Sequence, residues 1–378
     1  MKCKFLEHGM AISNDLVVRP CCEWSDDPEW KQNNHLSQLT LLDWQQSLST
    51  FRHQLAQGQW PAQCRSCEQA EGANRGSMRG DGDSAYAHYQ CDDIVLEIRP
   101  GNVCNFACQT CWPAASTRVA QFYHRAGMID IKSVDSTAIE NFNHLEPIAH
   151  KIRDLVILGG EPFYDKHCLK FLHWAVDNLT ARIIIFTNGS AIDWDWIDAY
   201  SNKIVLVFSI DAIGKPAEYI RFGTDWSVVE QNFRRAQLHP KVEVRVNITA
   251  SAYSYYYMSD VINFLIPHWP SVLSIGIPHE LHFREHVIPV DHRNVIISRL
   301  EAAVNNVQQA EIEFGQKMHI TNALTSLITN LRTQPWDEKY YNEFRDFVIK
   351  MDSTKHIRIG DYCENIANML FKQPIEIL

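Results

Sequence analysis

Three cysteines, Cys104, Cys108 and Cys111, stand in the run Arg99-Pro-Gly-Asn-Val-Cys-Asn-Phe-Ala-Cys-Gln-Thr-Cys. The spacing C-x3-C-x2-C gathers three thiolates on one tight loop, where a closed tetrahedral metal site takes four protein ligands. Three thiolates can hold three irons of a cubane iron–sulfur cluster and leave the fourth iron open to an outside ligand. Two other readings stand beside it, a zinc site completed by a distant residue and three unrelated buried thiols. A second group comes earlier in the chain: Cys3, the pair Cys21-Cys22, and Cys64-Arg-Ser-Cys67, ahead of Glu71-Gly72 and Ser77-Met78-Arg79. With one of the pair counted, these positions suffice for full thiolate ligation of a cluster. C-x2-C with two more cysteines is equally a zinc pattern. Cys21, following Pro20, is the expected ligand of the pair and Cys22 its alternative. Cys91, Cys168 and Cys363 lack a partner at short spacing and read as buried thiols, with Cys91 the one spare that could reach the second cluster.

The elements that must position the first loop are apolar runs. Ile94 to Ile98 leads straight into it. Leu155-Val-Ile-Leu158 runs into Gly159-Gly160-Glu161-Pro162, and Arg182-Ile-Ile-Ile-Phe186 ends in Thr187-Asn188-Gly189. Ile204-Val-Leu-Val-Phe208 ends in Ser209-Ile210-Asp211, and Val242 to Val246 ends in Asn247-Ile248-Thr249. Apolar runs that each end in small or polar residues, with helical stretches between, predict a parallel (β/α) barrel or part-barrel with its chemistry at the carboxyl ends of the strands.

The cysteine loop after the first of these strands and Gly-Gly-Glu after the second resemble a radical S-adenosylmethionine (SAM) enzyme over about residues 94–290. The resemblance implies an α/β fold with a partial parallel (β/α)6 barrel. It implies a [4Fe–4S] cluster on Cys104, Cys108 and Cys111, with SAM chelating the open iron. It makes Gly159 and Gly160 points of close backbone approach and Glu161 the acceptor for the methionyl ammonium. Asn188, Ser209 and Asp211 lie where the family contacts the ribose and the methionine moiety, and Arg221 is the candidate partner of the methionyl carboxylate. For these polar residues a capping or turn role is the plainer alternative. Thr110 departs from the family, which usually has an aromatic before the last cysteine; Phe106 packing on adenine, or adenine on backbone alone, are the replacements. The earlier cysteines resemble a twitch/SPASM-like auxiliary-cluster module, placed before the barrel, so that two clusters are expected. The tail Phe344 to Asp352 resembles the C-terminal helix of twitch-type proteins.

The expected segments are 1–92 for the auxiliary module, 93–290 for the barrel and 291–378 for covering helices, read over Leu300 to Phe314 and Ile320 to Leu331. Leu41, Trp44, Leu48, Phe51 and Leu55 recur at helical spacing as one packing stripe. Tyr253-Ser-Tyr-Tyr-Tyr257 opens a helix over Met258 to Ile266. His279-Glu-Leu-His282-Phe-Arg-Glu-His286 reads as a polar substrate-facing loop, a solvated edge or a metal site of no standard spacing.

Hydrophobic residues make up 46% of the 378, enough for a sizeable core. No apolar run approaches the roughly 18 residues that span a bilayer, and Met1-Lys-Cys-Lys-Phe lacks the apolar stretch of a signal peptide. A cytoplasmic location is therefore expected, where eleven cysteines stay reduced and free to bind metal. The net charge of −10 argues against long nucleic acid as substrate. The resemblance implies an enzyme with an electron donor such as flavodoxin or ferredoxin. It would act on a peptide or protein, or alternatively on a nucleotide or small metabolite. A non-catalytic metal-binding interaction module is the reading from another class.

Overall fold

In the computed structural model, residues 1–13, 15–72, 76–90, 92–130 and 138–371 are described; Cys91 lies outside them. The five apolar runs become β3 (Ile94–Ile98), β4 (Ile152–Ile157), β5 (Arg182–Thr187), β6 (Ile204–Ser209) and β7 (Val242–Thr249) of a sheet that also holds β1 (Gly9–Ile12), β2 (Val18–Arg19) and β8 (Val272–Gly276), which the sequence reading did not foresee. Their order is β2-β1-β3-β4-β5-β6-β7-β8. β1 runs antiparallel to β2, while the pairings β1–β3, β3–β4, β4–β5 and β7–β8 are parallel. Parallel neighbours need long crossovers, which helices such as Lys166–Asn178 between β4 and β5 and Met258–Leu265 between β7 and β8 supply. Strands covered on both faces read as continuous apolar runs, and Ile204, Val205, Leu206, Val207 and Phe208 are all buried. The α/β class follows.

Several elements differ from the sequence reading. β4 begins at Ile152, ahead of the purely apolar run; the ladder shifts register there, Ile94 pairing with Ile152 and Val95 with Asp154, so that Arg153 is left over as a bulge. The stripe from Leu41 to Leu55 is two helices, Leu41–Ser47 and Ser49–Ala56; Thr40 and Asp43 form a capping box at the start of the first. The covering helix expected over 300–314 is instead Val290–Gln309, following Pro289 and ended by extended Ala310, and Phe314 starts the next helix, Phe314–Thr333. The cysteine-rich start of the chain contributes β1, whose register with β3 runs from Gly9 opposite Val95 to Ile12 opposite Ile98.

The chain divides into two compact units, Met1–Asn102 with Ser136–Phe186 and Asp193–Ile204, and Val103–Asp135 with Thr187–Ile192 and Val205–Leu378. The first packs Leu96, Ile98, Leu155, Ile157 and Ile183 in its interior. It also holds an aromatic cluster, with Trp24 at 4.7 Å from Trp30 and 5.0 Å from Phe51 between ring centroids. The second packs Phe208, Phe233, Ile248, Ile262 and Leu300. Among the described residues no helix is long and apolar enough to cross a membrane.

Candidate metal centres

Within the second unit, the cysteine loop is stitched to the segment that carries Arg221. Ala107 N donates to Phe222 O at 2.8 Å, and Gln109 N to Ile220 O at 2.8 Å. Gln109 Nε2 adds a bond to Tyr219 O at 3.2 Å. From another side the helix Glu338–Lys355 ends against the loop: Lys355 Nζ donates to Ala107 O and Gln109 Oε1, both at 2.9 Å. Backbone pairing and a buried cation thus fix the residues on either side of Cys108.

The three thiols are partly buried and gathered. Burial first, then the charges of Cys108 and Cys104, push the Cys111 thiol up; burial does the same to Cys108. Thiols crowded this way are costly to ionise until a metal supplies positive charge, and a coordinating thiol is deprotonated outright. Cys104 Sγ already accepts from Phe106 N at 3.4 Å.

Arg221 NH1 donates to Asp211 Oδ2 at 2.9 Å, and Asp211 Oδ1 accepts from Thr249 N at 2.7 Å. Burial would lower the Arg221 pKa, yet Cys108 and Asp211 together raise it, so the guanidinium stays charged. Its buried Nε has no hydrogen-bond partner. Asp211 thus holds Arg221 through one oxygen and is itself held by the β7 backbone through the other. Asn188 Nδ2 donates to Asn105 Oδ1 at 2.8 Å, and Asn105 Nδ2 donates to Ser190 Oγ at 2.9 Å. Ser190 Oγ closes the ring by donating to Asn188 Oδ1 at 2.7 Å. This ring ties the turn after β5 to the cysteine loop. Ser209 is half-buried at the end of β6, and Phe106 is 2% exposed, packed behind the loop.

In the first unit, the Gly159-Gly160-Glu161 turn follows β4. Gly159 has φ +139, and a Cβ there would lie 2.5 Å from Gly101 O, so only glycine fits. Glu161 is 1% exposed, and its carbonyl accepts from the backbone N–H groups of Tyr164 and Asp165 at 3.0 and 2.9 Å.

The same unit brings four of the early cysteines together. Cys3, Cys21, Cys64 and Cys67 line one small cavity, beside Trp60 and Arg79. Cys22 does not line it and is exposed, set against Glu97 and Glu23. Burial pushes the Cys3 thiol up to about 11 and the Cys64 thiol up to about 12. Backbone N–H groups of Leu6 and Phe5 reach Cys3, and those of Arg79 and Met78 reach Cys67, the donors that temper clustered thiolates. Among the described residues no three His, Cys, Asp or Glu side chains are arranged around a single ion. A cluster does not require that arrangement, because each thiolate takes its own iron.

Cys168 and Cys363 are fully buried. The 279–286 stretch forms two short turns, Leu281–Phe283 and Glu285–Val287, whose Glu285 is 1% exposed beneath Tyr255. His279 stacks on exposed Trp112, the residue after Cys111, with centroids 6.4 Å apart. Sequence reasoning missed Asn105 and Lys355. Asn105 carried a signal, an amide one residue after the first cysteine of the loop; Lys355, 244 positions beyond Cys111, carried none.

No protein-family model matches the chain, and no curated protein matches it. Similar solved structures include native anSMEcpe with bound AdoMet, 18% identical with a TM-score of 0.41, covering 57% of this chain and 61% of that one. Streptococcus suis SuiB bound to S-adenosylmethionine is 16% identical, TM-score 0.36, over 63% of this chain and 54% of that one. TYW1 with a lysine-pyruvate adduct bound is 14% identical, TM-score 0.32, over 54% and 70%. The chain thus spans less than two thirds of the length of the first two.

Proposed function

We propose that the protein is a radical SAM enzyme, with strands β3 to β8 as a partial (β/α)6 barrel and two [4Fe–4S] clusters. The SAM-binding cluster is assigned to Cys104, Cys108 and Cys111, and a twitch/SPASM-like auxiliary cluster to Cys3, Cys21, Cys64 and Cys67. When bound, cluster and SAM supply one-electron cleavage of a sulfonium C–S bond, giving methionine and a 5′-deoxyadenosyl radical that takes a substrate hydrogen atom. Arg221, held by Asp211, offers its free Nε to the methionyl carboxylate. Glu161 accepts from the methionyl ammonium, and Gly159 and Gly160 admit the ligand close to backbone. Asn188 and Ser209 serve the ribose side, and Phe106 backs the loop behind the adenine. The substrate proposed is a peptide or protein, a net oxidation or C–X bond formation on it being the outcome; a nucleotide or small metabolite is the alternative. The electron comes from a flavodoxin- or ferredoxin-like donor in the cytoplasm.

The observation that supports this reading is the cysteine loop itself: three thiols with no fourth local thiol, and an unpartnered guanidinium nitrogen beside them. The test is anaerobic reconstitution followed by a dithionite assay for 5′-deoxyadenosine. Wild type should form it, and the variant with Cys104, Cys108 and Cys111 all changed to Ala should not, while keeping its circular dichroism. Undiminished cleavage in that variant refutes the assignment.

A further inference from the structure

Lys355 is 7% exposed, and its ammonium bonds only neutral acceptors, Ala107 O and Gln109 Oε1. The rings of Phe122 and Phe222 flank it, their centroids 5.6 and 5.2 Å from Nζ. The carboxylate nearest in its own helix, Asp352, is already engaged, accepting from Tyr219 OH and Ile359 N, both at 2.7 Å. Burial lowers the Lys355 pKa to about 8 and Arg118 adds a second positive charge, while Cys108, Asp352 and Cys111 are the groups that favour its charged form. A buried ammonium without a bonded anion is expensive to keep unless a negative partner lies within reach. The cysteine loop that Lys355 touches is a place where such charge would gather once its thiols ionise.

Building on the reading of Cys104, Cys108 and Cys111 as cluster ligands, we propose that Lys355 is a positioning residue for that cluster. It fixes the loop around Cys108 and sets a positive charge beside it that favours the reduced state. Hydrogen bonds and nearby charge are among the levers that tune such clusters. The helix Glu338–Lys355 is then part of the redox apparatus.

Two variants of the full chain separate the roles. Lys355→Gln keeps a donor for Ala107 O but removes the charge; Lys355→Met removes both. In an EPR-monitored redox titration, the signal that changes on adding SAM should shift to a more negative midpoint in Lys355→Gln. The expected size is about a tenfold change in the reduction equilibrium, 59 mV for one electron. In the iron-free protein, Lys355→Met should speed amide hydrogen exchange over residues 104–111 at least tenfold relative to wild type, and Lys355→Gln less. Lys355→Arg, which retains the charge, should restore the midpoint. An unshifted midpoint in a normally loaded Lys355→Gln, or wild-type exchange in Lys355→Met, overturns this inference alone. A wild type that gains no SAM-sensitive cluster overturns the parent reading and this one with it.

Discussion

At the scale of single residues, the polar side chains near the cysteine loop separate into those with spent and unspent hydrogen-bonding capacity. Asp211 gives one oxygen to Arg221 and the other to a backbone N–H, so it acts through the arginine. Arg221 keeps one donor unspent. Arg221→Lys preserves the charge but deletes that donor, and a charge-assisted hydrogen bond is worth about 1.5–3 kcal/mol. Isothermal titration of the loaded protein with SAM should then show affinity weakened by roughly one to two decades. Glu161→Gln, which removes the buried carboxylate charge and keeps its size, should cost a similar amount. Unchanged dissociation constants would make both residues structural. Glu161 and Arg221 entered as candidates through the resemblance, Glu161 as the third residue of the Gly-Gly-Glu turn and Arg221 as the arginine that follows the end of β6. That Asp211 is a holder was not legible in the sequence, since a strand-end carboxylate looks the same whether it meets a ligand or a neighbouring arginine.

At the scale of elements, the cysteine-rich start of the chain shows what spacing can and cannot say. Spacing marked Cys64 and Cys67, because C-x2-C is a local pattern. It could not choose between Cys21 and Cys22, since adjacent residues have nearly the same spacing to the other cysteines and only the turn after β2 selects one. The short strand Val18–Arg19 and Pro20 turn Cys21 into the cavity with Cys3, Cys64 and Cys67, and leave Cys22 against Glu97. Cys21→Ser should therefore cost about half the iron of the reconstituted chain, four of eight atoms on the two-cubane reading, while Cys22→Ser should retain it all. Iron counting by colorimetric assay decides it. Equal loss in both variants would mean that the pair shares the site, and stoichiometric zinc there would replace the auxiliary cluster with a structural metal.

At the scale of the whole molecule, the sheet was readable from its apolar runs, because strands buried on both faces cannot disguise their composition. The edge contributed by β1 was hidden: Gly9-Met-Ala-Ile12 is short, and its partner β3 lies more than eighty residues onward. The helices of that opening segment are also short, Lys4–His8 and Arg65–Gly72 among them. Helices of so few residues have little stability of their own in water. Side-chain contacts hold them in part, Phe5 against Tyr86 and Glu71 paired with Arg79, and the cysteines of the cavity they line offer a second support if metal binds there. Metal binding to a site absent from the unfolded chain contributes directly to folding. Anaerobic removal of iron by a chelator should therefore lower the thermal midpoint, and hydrogen exchange should locate the change. Protection should fall first over residues 3–8 and 64–72, less around Trp30 and Trp44 where aromatic packing persists. It should hardly change in the paired helices Val290–Gln309 and Phe314–Thr333, whose cores of Leu300, Leu324 and Leu331 owe nothing to metal. Uniform loss across the chain, or none, would show that the cysteine cavity does not support the fold of its surroundings.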